Sequence, residues 1–503
     1  MTAPLWTVDE ICAHTNGVMA ETAGTVSPVD NITLSNIAVD HITIDSRVCR
    51  KGSLFVALPG ATTDGHQFLA KAANADASAA IVSKPDTDIE LAQIIVPDCL
   101  VALTNLAVAG RERHKGKMVA ITGSVGKTGT KEMLAHILRA YGQSHANEGN
   151  FNNHIGLPLS LAALPKDSQF AIQEIGMNHA GEIASLTRIA RPDIAMITRI
   201  AAAHSGHFES IDAIADAKAE IFEDMHGGTA VLNIDDPFFD HLSSAAKAAG
   251  ITRIITFGNH GEAEFCLLSA RQDDDGMKIK ADLSGIPVSF QLGMSGYHWA
   301  MNALGVLACV HALGEDPVTA TNHLAGFGDI AGRGARHRGV FDGKNITVID
   351  DSYNASPASM SAALEPFLTG DRHSDIMVLS DMLELGSHSD TAHDDIVSTI
   401  ASIAPRHVIA IGAEFARAFA KATSSSDVIF AESPASATDL LTQLIKAGDT
   451  LFIKGSKGSG AWRVTDAVLG AMTNKTPASS TSAQSVSTQS APTKSAEEKI
   501  YVT

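Results

Sequence analysis

The segment from Met118 to Met133, M-V-A-I-T-G-S-V-G-K-T-G-T-K-E-M, constrains the fold more than any other stretch of the chain. Val119 to Ile121 reads as a short apolar strand, and Lys131 to Arg139 carries apolar residues at helical spacing. The turn between them holds Gly123 and Gly126. A strand that enters a glycine turn and leaves as a helix aims bare N–H groups and the positive end of the helix dipole at one point, which suits phosphate. Gly123, Ser124, Val125 and Gly126 would wrap phosphate oxygens, Lys127 would reach the outer phosphates, and the Thr128 hydroxyl would face a magnesium ion. The common phosphate-loop pattern has a glycine five residues before Gly126, where this chain has Ile121. The competing reading is a plain strand–helix turn.

At roughly 100–200 residues per domain, 503 residues predict about three domains. The formal net charge of −19 argues against a nucleic-acid surface, because a phosphate backbone demands a basic face. Cys12, Cys49, Cys99, Cys266 and Cys309 are scattered, with no C-x-x-C pair, as expected of a reduced cytosolic chain without a disulfide framework or zinc site. The first residues lack a basic region followed by an apolar core, and no apolar run reaches membrane-spanning length. A cytoplasmic protein with no membrane insertion is the expectation.

Short strands and helices alternate along the first hundred residues, with a helix from His66 toward Ala75 and a connecting helix from Leu100 to Lys115. Strands are then expected at Met118–Ile121, Phe170–Ile175, Ile194–Ile197, Ala230–Ile234 and Arg253–Phe257, alternating with helices as in a parallel sheet covered on both faces. Phe265 to Gly293 alternates like a small antiparallel insertion. Further strands are expected at Ile346–Ile349, Ile376–Leu379, His407–Ile411, Val428–Phe430 and Thr450–Ile453, forming a second, smaller α/β unit. From Asn474 the chain is Ser, Thr, Ala, Pro and Gln with almost no apolar residue, so a disordered tail is predicted. The fold class is α/β, with domains at 1–99, 100–325 and 326–473 and a tail at 474–503.

Several residues outside the loop carry chemistry. Glu174 ends a buried strand, the edge where α/β sheets place ligands, and could serve magnesium or be a paired structural carboxylate. His204 follows the strand Ile194–Ile197 and could bind metal or phosphate, although alone it reads as structural. By pattern Lys218 is a surface lysine in helical charge pairs. Ser46 and Arg47 at a strand end could hold a polar ligand or form a structural turn. Gly332 to Arg338 is a basic stretch that could close over a transferring phosphoryl group or act as a linker. Asp350 and Asp351 end a strand, where a carboxylate can accept a ribose hydroxyl.

Taken in order, these segments resemble the Mur ligases over nearly the whole chain apart from the tail. The supporting stretches are Asp45-Ser46-Arg47, Gly123 to Met133, Gly149 to Pro158, Glu174 to Ile183, Asp350 to Ala355 and Ser380 to Gly386. The resemblance implies a UDP-sugar-binding first domain, a central ATP-binding phosphate-loop domain with a parallel sheet, and a Rossmann-like third domain that receives the amine. It implies ATP and Mg²⁺ as cofactors, with Lys127 and Thr128 on phosphate and magnesium, and with Glu174, His204 and Lys218 at the metal site, Lys218 as a carbamylated lysine. Asn302 matches an ATP-contacting asparagine, Arg333 a phosphate-contacting arginine and Asp351 a ribose ligand. Ser46, Arg47, Asn153, His154, Lys454 and Ser456 fall in substrate-binding segments. The Ser380–Gly386 stretch favours the dipeptide-adding branch, whose substrates are UDP-N-acetylmuramoyl-tripeptide and D-alanyl-D-alanine, and a monomer is expected. The branch that adds the third amino acid usually carries Asp-Asn-Pro-Arg, which is absent here. A regulator that hydrolyses ATP without ligating is the alternative from another class.

Overall fold

The structure, a computed structural model, describes residues 4–473 apart from 21–36, 61–62, 150, 203–207, 226, 274–275, 329, 371–372 and 423–425. The tail expected at 474–503 lies outside the described residues.

The first sheet has five strands in the order Val18–Met19, Ala92–Ile95, Ala79–Val82, Ser53–Val56 and His41–Thr43, parallel except for the first pair. The helix Cys99–Arg113 leaves this sheet, its start fixed by the Asp98 carboxylate, which accepts from Leu100 N at 2.7 Å and Val101 N at 2.9 Å.

The central sheet has nine strands. Its order is Ile286–Leu292, Gly276–Leu283, Phe265–Asp273, Arg253–Gly258, Thr229–Asn233, Ile194–Ile197, Lys117–Thr122, Phe170–Glu174 and Ser144–Ala146. The apolar runs in its middle strands are buried on both faces, the pattern of a covered parallel sheet. One face is filled by Met133, Leu134, Ile137 and Leu138 of the helix Lys127–Leu138 and by Leu304 and Leu307 of the helix Tyr297–Ala312. The other carries Ile183, Leu186, Ile214 and Phe222. The segment from Phe265 to Leu292 is antiparallel, as its alternation predicts. Its antiparallel strands continue the central sheet, because Phe265 and Cys266 pair in parallel with Phe257 and Gly258.

The third sheet runs Ala335–Phe341, Lys344–Asp351, Thr450–Lys454, Ile376–Ser380, His407–Ile411 and Asp427–Ala431. All pairs are parallel except the first, a hairpin turning at Asp342-Gly343. The basic stretch read as a closing segment or linker is therefore partly an edge strand.

Candidate active site

Three strand ends meet at one point. Lys117–Thr122 lies between Phe170–Glu174 and Ile194–Ile197, with Glu174 opposite Ile121 and Ile197 opposite Thr122. The chain winds to one side of this strand and then to the other, so a crevice opens at its carboxyl end. The loop after it fills the crevice.

Gly123 and Gly126 adopt φ of +148° and +84°, and a Cβ at Gly123 would lie 1.9 Å from Thr198 Oγ1. Thr198 Oγ1 pins the loop, 2.6 Å from Val125 O and 3.2 Å from Thr122 O. Ser124 Oγ donates to Ala201 O at 2.8 Å and accepts from Ala201 N at 3.0 Å. The helix Lys127–Leu138 begins at Gly126 with no side-chain cap, which leaves its first N–H groups open to an anion. Lys127 Nζ donates to Gly123 O at 2.8 Å. Burial holds its pKa below the ordinary lysine value, the Glu174 carboxylate opposes that shift, and the Arg333 charge adds to it. Asn302 packs against the loop, its Oδ1 3.1 Å from where a Gly126 Cβ would stand.

Glu174 is 2% exposed. Thr128 Oγ1 donates to its Oε2 at 2.7 Å, Asn152 Nδ2 to its Oε1 at 2.7 Å, and its own N–H donates to Asn147 Oδ1 at 2.8 Å. A hydroxyl and a carboxylate beside a phosphate loop are the oxygen donors that magnesium takes, with phosphates and waters completing its shell. Among the described residues there is no group of three or more His, Cys, Asp or Glu placed to hold a metal ion. His204 lies outside the described residues.

Lys218 corrects its pattern-based reading. It is 2% exposed, on the helix Ile211–Ala219. Burial drives its pKa well below the usual lysine value, repulsion from Lys127 adds to this, and Glu220 opposes it. Helical periodicity could not reveal this, because the groups that cover Lys218 come from other parts of the chain. Glu220 itself accepts from Gly181 N at 2.6 Å and Ala184 N at 3.1 Å.

The third domain forms the opposite wall. Arg333 sits over the Tyr353 ring at 4.5 Å, on a loop held by Gly332 N donating to Asp350 Oδ2 at 2.6 Å. Asp351, partly buried, and Lys454, buried, form an ion pair at 2.9 Å, and Lys454 also donates to Asn354 O at 3.0 Å. Burial raises the Asp351 pKa and Lys454 offsets part of that. Ser456 Oγ accepts from Leu383 N at 3.0 Å and lies 3.2 Å from Ala355 O.

Together these walls enclose a cleft of about 1110 Å³ lined by residues 124–128, Glu174, Asn302, Arg333, Asp351, Lys454 and Ser456 among others. Asn153 lines it too, but its Oδ1 accepts from Ile155 N and Gly156 N at 3.1 and 2.9 Å. The cleft does not gather every expected residue. His154 is exposed and off its wall, Ser46 is buried elsewhere, and Arg47 is exposed and paired with Asp45 at 2.7 Å. Asn147, Asn152, Thr198 and Tyr353 were not singled out from the sequence. Two adjacent amides in Phe151-Asn152-Asn153 were the available signal for Asn152.

Three family models match consecutive parts of the chain. They are "Mur ligase family, catalytic domain" at 38–114, "Mur ligase middle domain" at 121–310 and "Mur ligase, glutamate ligase domain" at 332–457. The chain is 33% identical over 448 residues to the UDP-N-acetylmuramoyl-tripeptide–D-alanyl-D-alanine ligase of Rickettsia prowazekii, covering 88% of this chain and 98% of that protein. The chain belongs to the Mur ligase family. Among solved Mur ligases, a crystal structure of MurF from Acinetobacter baumannii superposes with a TM-score of 0.77 at 30% identity, covering 92% of this chain and 99% of that one. The MurF ligase of Thermotoga maritima, solved with ADP, gives 0.69 at 25% identity, covering 85% and 96%. The three-domain α/β architecture of this Mur ligase is thus that of MurF structures.

Proposed function

We propose that this chain joins D-alanyl-D-alanine to UDP-N-acetylmuramoyl-tripeptide with ATP, giving UDP-N-acetylmuramoyl-pentapeptide as a cytoplasmic peptidoglycan precursor. Relatives matched over nearly their whole length carry that ligase's name. The observation that carries the reading is the meeting of phosphate loop, Thr128–Glu174 pair and third-domain Arg333 around one cleft. Residues 1–99 would hold the UDP precursor, 100–325 ATP, and 326–473 the incoming amine, a division that the family matches at 38–114, 121–310 and 332–457 support.

A carboxylate is a poor acyl donor because its oxygen leaves badly. Transfer of the ATP γ-phosphoryl group to the tripeptide carboxylate forms an acyl phosphate. The dipeptide amine adds to its carbonyl carbon, and phosphate departs from the tetrahedral intermediate. The first step brings two anions together, and Lys127, Arg333 and the loop N–H groups offset that repulsion. Thr128 and Glu174 would hold magnesium, with His204 and a carbamylated Lys218 as further members of the metal site. When bound, the ion supplies charge neutralisation at the phosphates. Lys218 suits its part, since its depressed pKa favours the neutral amine that can add to carbon dioxide, releasing one proton. Asn302 would contact the nucleotide and Asp351 the ribose, while Lys454 and Ser456 shape the wall for the amine. Ser46, Arg47, Asn153 and His154 are assigned to the UDP-tripeptide.

Mass spectrometry of the product tests the reading. Incubation with ATP, Mg²⁺, the tripeptide precursor and D-alanyl-D-alanine should yield the precursor enlarged by one dipeptide. Enlargement by a single amino acid supplied to a shorter precursor, and not by the dipeptide, would contradict it.

A further inference from the structure

Tyr353 stands in the cleft wall, and none of the roles above uses it. Its hydroxyl is buried and finds no acceptor among the described residues, since Arg333, the side chain that approaches its oxygen, can only donate. A buried O–H without an acceptor is costly, so its place at a cleft calls for an explanation. Its ring carries the Arg333 guanidinium on one face at 4.5 Å, and Lys457 Nζ lies 5.6 Å from its centroid. The backbone fixes it against the arginine loop, because Tyr353 N donates to Gly332 O at 3.1 Å. A Cβ at Gly332, whose φ is +74°, would lie 2.7 Å from the Tyr353 Cβ. Burial raises the phenol pKa, Arg333 opposes, and the Glu174 carboxylate across the cleft reinforces the rise, so the group is a donor at neutral pH.

We propose that the Tyr353 hydroxyl donates a hydrogen bond to an oxygen of the γ-phosphoryl group in flight, while its ring seats Arg333 for the same group. The proposal rests on the ligase reading above. Arg333 and Tyr353 are then one unit: the guanidinium supplies charge and the phenol a directed donor from the third domain. In the step they serve, the bond from the γ-phosphorus to the β-bridging oxygen breaks and one to the tripeptide carboxylate oxygen forms. The phenol keeps its proton throughout. A neutral donor suits a place beside Lys127, Arg333 and magnesium, where another cation would add to their mutual repulsion.

The test compares the unaltered chain with Tyr353→Phe and Tyr353→Leu. Tyr353→Phe keeps the ring and removes only the O–H. It should lower kcat about 10- to 100-fold with KM for ATP nearly unchanged. It should also slow, by the same factor, the exchange of ¹⁸O between bridging and non-bridging positions of ATP in the presence of the tripeptide precursor, which reports phosphoryl transfer alone. Tyr353→Leu should add a rise in KM for ATP as Arg333 loses its seat. Circular dichroism and unfolding temperature should match the unaltered chain, because a structural role alone would move these and not the exchange. Unchanged kcat in Tyr353→Phe overturns the proposal, and so does a lowered kcat with unchanged exchange. If the unaltered chain forms no pentapeptide, the ligase reading itself fails and the proposal falls with it.

Discussion

At the residue scale, buried charge shapes the candidate site. Lys218 is an amine placed where burial and Lys127 both disfavour its charged form. Such a lysine is costly to keep unless its amine has a task. Lys218→Ala should lower ligase activity by at least about 100-fold, and short carboxylates such as formate should restore part of it by supplying the missing oxygens. Activity unchanged in that variant would remove Lys218 from the site. The sequence disclosed such residues unevenly. Lys127 and Thr128 were legible because glycine spacing and a following helix fix what they can do. Glu174 was legible from its place at a buried strand's end. Tyr353 was not, since nothing in Ser352-Tyr353-Asn354 signals that the ring would meet Arg333 from another loop.

At the element scale, the phosphate loop is a tight connection held by neighbours. Gly123 can take its φ of +148° only without a Cβ, and Thr198 stands where that Cβ would go. Gly123→Ala should therefore weaken binding of a non-hydrolysable ATP analogue by about 10-fold or more, read by calorimetry, with the far-ultraviolet spectrum retained. Most strands could be read because they are apolar runs covered on both faces. Ala335–Phe341 escaped notice for the opposite reason. It is an edge strand carrying Arg336, His337 and Arg338, a composition that also fits a basic loop. The strands from Phe265 to Leu292 could be read as antiparallel, but their alternation does not say which sheet they extend.

At the scale of the whole molecule, the first two domains are welded and the third faces the second across the cleft. The helix Gly156–Ala162 gives Leu157 and Leu161 to the central core and Leu159 and Ala162 to the first. Trp6 Nε1 donates to Ala162 O at 2.7 Å, and Arg113 stacks on Trp6 at 3.5 Å. The third domain instead meets the central one through cleft residues such as Arg333 and Tyr353. An acyl phosphate must be kept from water, so the third domain should close further when substrates bind. Small-angle scattering should show a smaller radius of gyration with an ATP analogue and the tripeptide precursor together, and an unchanged radius would count against closure. In the proposed reaction, one cleft couples phosphoryl transfer to amide formation. Phosphate release from ATP, measured with each substrate omitted in turn, tests it most directly. Sustained release is expected only when tripeptide precursor and D-alanyl-D-alanine are both present, matched one for one by pentapeptide. Sustained release with neither present would contradict it and leave an ATPase in place of a ligase.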